Sequence, residues 1–234
     1  MIESILPAAV AAVDTFVDPP GATLFREEEQ LVRKAVQKRQ AEFTTGRWCA
    51  RQAIERLGHP PTAILAGTRG EPQWPAGLVG SITHCAGYRS AVVAEAERVA
   101  TVGIDAEPNE PLTNGILEAI SLPEERPRIE ALCRSHPAVN WDRLLFSAKE
   151  SVYKAWFPLT ARWLDFQDAS IVVNPLTGTF SAQLRVTGPR LHGSKLTGFA
   201  GRWLVEHGLI VTAITILAPA EARTTMTDAR SPAV

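Results

Sequence analysis

Three short stretches of the chain carry the acid, base and histidine side chains that chemistry on a phosphate group requires. They are GSITHC at positions 80–85, VGIDAE at 102–107 and FSAKESVYKAW at 146–156. In the second stretch a strand-like apolar run ends in Asp105, and Glu107 follows two residues later. Because side chains alternate along an extended chain, both carboxylates are predicted to point to one side. Adjacent carboxylates repel each other unless a cation lies between them, so the pair indicates either a Mg²⁺ site or a solvated strand end.

The third stretch lies in a helix predicted at positions 141–157, which Pro158 is expected to end. Glu150 and Lys154 stand four residues apart and therefore share one helix face. Such a pair is common on helices that have no active site. Beside a metal site, however, Glu150 becomes a candidate third ligand or general base, and Lys149 and Lys154 become candidates for neutralising phosphate oxygens.

The first stretch places Thr83 and His84 just past a predicted strand, in a loop next to glycine. A hydroxyl and an imidazole in such a loop suit close approach to a phosphate. Cys85 follows His84 directly. Neighbouring residues on a strand point to opposite faces, so a nucleophilic Cys–His pair is not favoured.

The elements that must position these residues are predicted to be mixed helix and strand, an α+β chain. A helix is predicted at positions 25–57, with acidic residues in its first turn and a stop at Gly58. Its second half carries more basic than acidic residues, which favours an anion-binding surface. Positions 108–140 are predicted to be mostly irregular, with one helix near 114–120. Strands are predicted at 79–82, 90–94, 98–105, 171–173, 179–185, 201–206 and 209–217, with a hairpin turn at 206–209.

Bulk properties narrow the class of protein. The 234 residues are 45% hydrophobic and 21% charged, which is typical of a globular chain with a sizeable core. The net charge of −1 gives no global field for nucleic acid or an anionic membrane. Three scattered cysteines indicate neither a disulfide framework nor a zinc site, and buried free thiols are expected. With no signal peptide or spanning segment in evidence, a soluble cytoplasmic protein is predicted, with a disordered tail at 220–234.

The ordered set of motifs, SxTH, then GIDxE, then KES followed by YKAW, resembles the 4′-phosphopantetheinyl transferases of the Sfp type. It is most similar to the shorter, enterobactin-synthesis-like branch found in actinobacteria, and the resemblance runs from about position 25 to 217. The resemblance implies two similar α/β halves related by a pseudo-twofold axis, with the active site at their interface. The halves are expected at 1–105 and 106–219.

The resemblance also implies roles for individual residues. Asp105, Glu107 and Glu150, with the backbone carbonyl of Ala106, are expected to bind Mg²⁺, for which Mn²⁺ is a possible substitute. Asp105, Glu150 and Lys154 are the expected catalytic residues. The residues expected to bind coenzyme A are Arg39, Arg47, Gly67, Thr68, Arg69, Thr83, His84, Lys149 and Lys154. Close relatives often have lysine at position 66, where this chain has Ala66, so that contact is expected to be missing or moved to Arg69.

The implied reaction transfers the phosphopantetheine arm of coenzyme A to a serine of an apo acyl or peptidyl carrier protein and releases adenosine 3′,5′-bisphosphate. Fatty acid, polyketide and nonribosomal peptide carriers, including those of siderophore synthesis, all remain open, and a monomer is expected. Carrier contact is predicted within 108–140, at Leu112, Ile116, Leu117 and Ile120. Two alternatives are a coenzyme A-binding module that has lost catalysis and a metal-dependent nuclease or other phosphohydrolase. The neutral charge and the lack of stacking aromatics among the basic residues disfavour the nuclease, and neither a nucleic acid nor a membrane partner is expected.

Overall fold

Two long helices, each packed on an antiparallel sheet, organise the computed structural model, which describes residues 1–219. The helices are α1 (Arg26–Val32), α2 (Gln37–Arg56), α3 (Ile116–Ile120), α4 (Glu125–Ser135) and α5 (Trp141–Thr160), with 3₁₀ turns at Ile2–Ile5 and Phe166–Asp168. None of the helices in this range combines the length and hydrophobicity needed to cross a membrane. The tail predicted at 220–234 lies outside the described residues.

The strands form two main sheets, and every strand pair is antiparallel. They are β1 (Val10–Thr15), β2 (Leu65–Ala66), β3 (Pro72–Gln73), β4 (Leu78–Cys85), β5 (Tyr88–Glu95), β6 (Val99–Pro108), β7 (Ala169–Asn174), β8 (Thr179–Leu184), β9 (Arg190–Leu191), β10 (Ser194–Lys195), β11 (Gly198–Glu206) and β12 (Leu209–Leu217). One sheet has the order β1-β5-β4 and the other β6-β12-β11-β8-β7, while β2-β3 and β9-β10 are small hairpins. This mixed α and β architecture confirms the predicted class.

The two main sheets meet where β4 runs beside β6. Serine and threonine side chains of β4 take the place of a backbone ladder there. The Ser81 hydroxyl accepts a hydrogen bond from the backbone N–H of Ile104 at 3.1 Å, and the Thr83 hydroxyl accepts one from Ala106 at 3.1 Å. This junction holds Thr83 beside Asp105. The predicted division between positions 105 and 106 falls inside β6, which pairs with β12 on both sides of that point.

Helix α5 packs closely across β6 because Gly103 has no side chain. A Cβ at this position would lie 2.6 Å from the backbone nitrogen of Ala155 and would collide with the carbonyl oxygen of Ser151. The predicted apolar stripe of α5 faces this sheet, with Leu145, Ala148, Val152 and Ala155 all buried. Burial of each large aliphatic side chain contributes about 1.5–3 kcal/mol. The close contact also brings the polar side of α5 within reach of the end of β6.

Several predicted bounds of helices differ from those in the structure. The helix predicted at 25–57 is broken between α1 and α2. Helix α4 lies in the stretch predicted to be irregular. Pro158 does not end α5. It lies in the last turn, and the helix continues to Thr160 before Ala161 adopts a left-handed φ of 51°.

The hairpin predicted at 206–209 is confirmed. His207 and Gly208 occupy its turn with φ of 51° and 73°, the left-handed pair that a two-residue hairpin requires. The same turn accepts a hydrogen bond from Asn109, since the Asn109 N–H donates to the Gly208 carbonyl at 2.8 Å. The exit of β6 is thereby tied to the turn between β11 and the neighbouring strand β12.

Candidate active site

Asp105 is the centre of the candidate site and is only 4% exposed. One carboxylate oxygen, Oδ1, accepts a hydrogen bond from Lys154 Nζ at 2.7 Å and another from the Thr83 hydroxyl at 3.3 Å. The other oxygen, Oδ2, is buried and has no hydrogen-bond partner among the described residues. An unpartnered buried carboxylate oxygen costs free energy, so this atom is suited to binding a ligand from outside the chain.

Glu107 lies on the same side of β6 as Asp105, and both reach side chains of α5. Arg143 Nη1 donates to Glu107 Oε2 at 3.0 Å. Burial and, to a smaller extent, the neighbouring Asp105 raise the pKa of Glu107 to about 7, against the lowering effect of Arg143. Ala106, between the two acids, is fully buried in the opposite direction in the core.

Glu150 on α5 completes the acidic cluster. Burial raises the pKa of Glu150, and the charge of Asp105 raises it further, while Lys154 lowers it. The predicted alignment of Glu150 and Lys154 on one helix face therefore places both beside Asp105. Three carboxyl groups and one ammonium lie together at the junction of β6 and α5.

The donor set suits a hard divalent cation. Within residues 1–219, no three His, Cys, Asp or Glu side chains are placed closely enough to enclose a metal ion by themselves. Mg²⁺ usually takes only one or two protein carboxylates and completes its octahedron with phosphate oxygens and water. The buried, unpartnered Oδ2 of Asp105 fits that requirement, and Glu107 and Glu150 lie nearby as candidates for a further ligand.

A basic cluster lies on the other face of β4. His84 Nε2 contacts Arg39 Nη1, and His84 Nδ1 lies 3.6 Å from Glu42 Oε2. Burial lowers the pKa of His84, and Arg39 lowers it further, so the imidazole is neutral at neutral pH and accepts a hydrogen bond from Arg39. Arg47 is buried, donates from Nε to the Ile64 carbonyl at 2.8 Å and keeps a pKa of about 10, lowered mainly by burial.

Thr83 and His84 point to opposite faces of β4, as neighbours on a strand must. The Thr83 hydroxyl, which has a single proton to donate, binds Asp105 and accepts from Ala106. Its observed contacts therefore orient the acidic cluster, whereas His84 belongs to the arginine cluster. From the sequence, Thr83 and His84 are assigned one shared role at a phosphate, although their side chains lie on opposite faces of β4.

The turn that carries Gly67, Thr68 and Arg69 connects β2 to β3. Gly67 donates to the Glu71 carbonyl at 2.8 Å, and a Cβ at Gly67 would collide with the Glu71 carboxylate. Arg69 lines an open cavity of about 450 Å³ together with Glu150 and Lys154. The turn and the acidic cluster thus border one cavity, and the guanidinium there belongs to Arg69, while position 66 is alanine.

Lys149, which is expected to bind a coenzyme phosphate, makes its contacts within the protein. Its ammonium group has three donors, and three acceptors engage them: Glu125 Oε2 at 2.8 Å, the Phe166 carbonyl at 2.7 Å and the Ala169 carbonyl at 3.0 Å. Both side chains of the ion pair are 1% exposed. Lys149 is one helix position away from Glu150 and so projects in a different direction. Its side chain lies in the buried contact between α4, α5 and β7.

Two further predictions concern cysteine. The free thiols were expected to be buried, and Cys49 is, whereas Cys85 is partly buried and Cys133 is exposed. Burial and, to a smaller extent, the neighbouring Glu107 and Asp105 raise the pKa of Cys85 to about 12. The thiol is protonated at neutral pH, which agrees with the rejection of a nucleophilic Cys–His pair.

Arg143 is the site residue that sequence reasoning missed. It lies seven residues before Glu150 on α5, and residues two turns apart share a helix face. That spacing was the available signal, but the partner, Glu107, is on a distant strand and could not be paired with Arg143 from sequence alone.

Comparison with known proteins identifies the chain as a transferase of the phosphopantetheinyl class. The model of the 4′-phosphopantetheinyl transferase N-terminal domain matches residues 27–94, and that of the 4′-phosphopantetheinyl transferase superfamily matches residues 101–200. The chain belongs to the 4′-phosphopantetheinyl transferase superfamily and is an enzyme of this class.

Individual relatives agree with this assignment. The chain is 52% identical to the 4′-phosphopantetheinyl transferase Svp of Streptomyces mobaraensis, over 94% of this chain and 91% of Svp. It is 51% identical to the 4′-phosphopantetheinyl transferase PptT of Mycobacterium tuberculosis, over 92% of this chain and 98% of PptT. Similarity to enterobactin synthase component D of Salmonella typhimurium is lower, at 33% identity over 67% of this chain and 68% of that protein.

Proposed function

We propose that this enzyme transfers the 4′-phosphopantetheine arm of coenzyme A to a serine of apo acyl or peptidyl carrier proteins. The observation that carries the proposal is the convergence of Asp105, Glu107 and Glu150 with Lys154. Of these residues, Glu150 and Lys154 line a cavity of about 450 Å³. Membership of the superfamily supports the choice of this reaction over other chemistry on phosphates.

In the proposed reaction the serine oxygen bonds to the phosphorus that carries the pantetheine arm. The bond from that phosphorus to the bridging oxygen breaks, and adenosine 3′,5′-bisphosphate leaves with the electron pair. The serine proton passes to Glu150, directly or through a water molecule, and the raised pKa of Glu150 suits a group that must accept a proton. Lys154 places a positive charge where negative charge develops on the phosphate oxygens.

Asp105, Glu107 and Glu150 would hold Mg²⁺, with the Ala106 carbonyl as a further candidate donor and Mn²⁺ as a possible substitute. When bound, the ion stabilises charge on the bridging phosphates as a Lewis acid. A carboxylate that binds the ion is a weaker base, so the ligand and base roles of Glu150 compete. Burial raises the pKa of Glu150 and so supports the base role, whereas the unpartnered Oδ2 makes Asp105 the primary ligand.

Coenzyme A would lie between the basic cluster of the N-terminal half and the cavity. Arg39, Arg47 and His84 supply donors on one side, and the Gly67, Thr68 and Arg69 turn supplies them on the other. Arg39 is accessible to a ligand, because its side chain is 47% exposed. Guanidinium groups suit this task because they bind phosphate through two parallel hydrogen bonds.

The carrier protein would contact the segment from the end of β6 to α4. Ile116 is 39% exposed, and Leu112 and Leu117 are partly exposed, so all three remain available for an apolar contact. Ile120 is only 3% exposed and belongs to the core, so it is removed from the predicted surface. The likeness to enterobactin synthase component D favours carriers of siderophore synthesis among the open classes. A monomeric state and a cytoplasmic location stay predictions.

The two-half organisation is also proposed, and two buried ion pairs support it. In the first, Glu28 of α1 binds Arg51 of α2 at 2.8 Å and accepts hydrogen bonds from Phe25 N and Ile64 N. The second joins Glu125 of α4 to Lys149 of α5 in the same manner, and Glu125 accepts from Leu122 N and Ile171 N. In each case the acid accepts from the backbone three residues earlier and ties a short helix to a long one. A pseudo-twofold relation between the halves accounts for this repetition.

One experiment distinguishes the proposed function from its alternatives. The protein is incubated with coenzyme A, Mg²⁺ and an apo carrier protein, and the carrier is weighed by mass spectrometry. A phosphopantetheine adduct supports transfer. Coenzyme A binding without an adduct on any carrier tested would indicate a binding module, which the relatives do not favour, and cleavage of added nucleic acid would indicate a nuclease.

A further inference from the structure

Arg143 uses its whole guanidinium fork at the exit of β6. Nη1 donates to Glu107 Oε2 at 3.0 Å, Nε donates to the Glu110 carbonyl at 3.1 Å, and Nη2 donates to the Pro111 carbonyl at 3.0 Å. The side chain is 20% exposed, as is that of Glu107. A surface ion pair would not require three separate acceptors, so the arrangement fixes a position as well as balancing a charge.

Neighbouring contacts reinforce the same connection. Asp142 accepts a hydrogen bond from the Leu112 N–H at 2.8 Å, and Asn140 donates from its backbone N–H to the Asn109 side chain at 2.9 Å. The residues that follow β6 are thus bound, nearly one by one, to the first turn of α5. These contacts connect the segment that follows Glu107 to the start of the helix that carries Glu150.

The geometry leaves one oxygen of Glu107 free. Arg143 occupies Oε2, and within residues 1–219 no hydrogen bond engages Oε1. On the other side of the cluster Lys154 occupies Oδ1 of Asp105 and leaves Oδ2 without a partner. Two cations of one helix therefore hold two carboxylates of one strand, and each carboxylate keeps one oxygen for another ligand.

We propose that Arg143 is a positioning residue that orients Glu107 so that its free oxygen faces the divalent cation. This inference rests on the proposed function, because it concerns the same cation. Groups that orient the ligands of a metal commonly affect its affinity by about 10- to 100-fold when they are removed. Positioning and simple charge balance predict opposite results here. If Arg143 only neutralised Glu107, its removal would leave a more negative site that binds the cation more tightly.

The test measures the affinity of the coenzyme A-bound protein for Mn²⁺, by the loss of the free-ion electron paramagnetic resonance signal. We expect Arg143→Gln to weaken Mn²⁺ binding about tenfold or more. Arg143→Lys is expected to fall between wild type and Arg143→Gln, since an ammonium group keeps the charge but cannot span three acceptors on different residues. Arg185→Gln is the matched control, because Arg185 forms an exposed pair with Glu124 at 2.6 Å away from the cluster.

The outcomes separate this proposal from the function on which it rests. Unchanged or tighter Mn²⁺ binding in both Arg143 variants would overturn the positioning role, and a thermal melt checks that each variant is folded. If Arg143→Gln does not fold, Arg143→Lys decides the matter, and wild-type affinity in that variant overturns the proposal. Asp105→Ala is measured in parallel. Loss of Mn²⁺ binding in Asp105→Ala without loss in the Arg143 variants refutes only the role of Arg143, whereas a wild-type protein that binds no Mn²⁺ refutes both.

Discussion

Lys154 Nζ lies 2.7 Å from Oδ1 of Asp105, while Oδ2 of the same carboxylate is buried without a partner. The two residues come from different elements, α5 and β6, and meet only because Gly103 lets the helix approach the strand. One oxygen is thus fixed by the protein's own cation, and the other is left for a ligand. The asymmetry of this single carboxylate underlies the proposed mechanism.

Replacement of Lys154 should impair both activity and stability. Lys154→Met removes the cation at the phosphate oxygens, and we expect a loss of transfer rate of about 10²- to 10³-fold. It also leaves Asp105 buried without its counter-charge, so the free energy of unfolding should fall by about 1–3 kcal/mol. Urea unfolding measures the second effect. The double variant Asp105→Asn with Lys154→Met should recover part of the stability but none of the activity, and full additivity of the two losses in stability would contradict the pairing.

Loss of the buried ion pair of Glu125 and Lys149 should affect folding and leave coenzyme A binding alone. Removing one member of such a pair typically costs about 3–5 kcal/mol, because the other charge stays buried. We therefore expect Lys149→Met to lower the free energy of unfolding strongly. Coenzyme A affinity, measured by calorimetry at a temperature where the variant is still folded, should stay within about twofold of wild type. A large loss of affinity in a folded variant would restore Lys149 to the coenzyme site.

Individual residues show how much of the fold and of the candidate site the sequence predicts. The strand period of two residues predicts that Asp105 and Glu107 share a side, and the helix period of 3.6 residues predicts that Glu150 and Lys154 share a face. Both periods are local properties of the sequence. The direction of Lys149 and the partner of Arg143 depend on contacts with α4 and β6, which are distant in sequence. The break between α1 and α2 and the continuation of α5 past Pro158 were missed because tertiary contacts and position within the last turn outweigh local propensity.

Part of the stability that the protein loses on acidification should come from His84. Burial and Arg39 lower the pKa of His84 below its ordinary 6.5, so the unfolded chain binds the proton more readily. The contribution of His84 is fully present above about pH 6.5 and is lost as the pH falls through the lower pKa of the folded state. Unfolding in urea at pH 7.5 and 5.5 should show a smaller loss of stability on acidification for His84→Gln than for wild type. Equal losses in both proteins would contradict this assignment.

The three cysteines should differ sharply in reactivity. Cys133 is exposed, whereas Cys49 is buried and the pKa of both Cys49 and Cys85 is raised to about 12, mainly by burial. At pH 7.5, iodoacetamide should modify Cys133 first, as peptide mass mapping would show. Cys85→Ser should keep the transfer rate within about twofold of wild type, because a protonated thiol contributes no nucleophile. Rapid labelling of Cys85, or a large loss of activity in Cys85→Ser, would reopen the Cys–His interpretation.

The most direct test of the account is the rate at which an apo carrier protein gains phosphopantetheine, measured by mass spectrometry across a Mg²⁺ titration for wild type and Asp105→Asn. Asparagine preserves the shape of the side chain and removes the charge that the cation and Lys154 share. We expect transfer by wild type to rise with Mg²⁺ and saturate, and transfer by Asp105→Asn to stay at least about 10²-fold lower at every Mg²⁺ concentration. Equal rates for the two proteins, or transfer by wild type that ignores Mg²⁺, would contradict the claim that Asp105 holds the cation for this reaction.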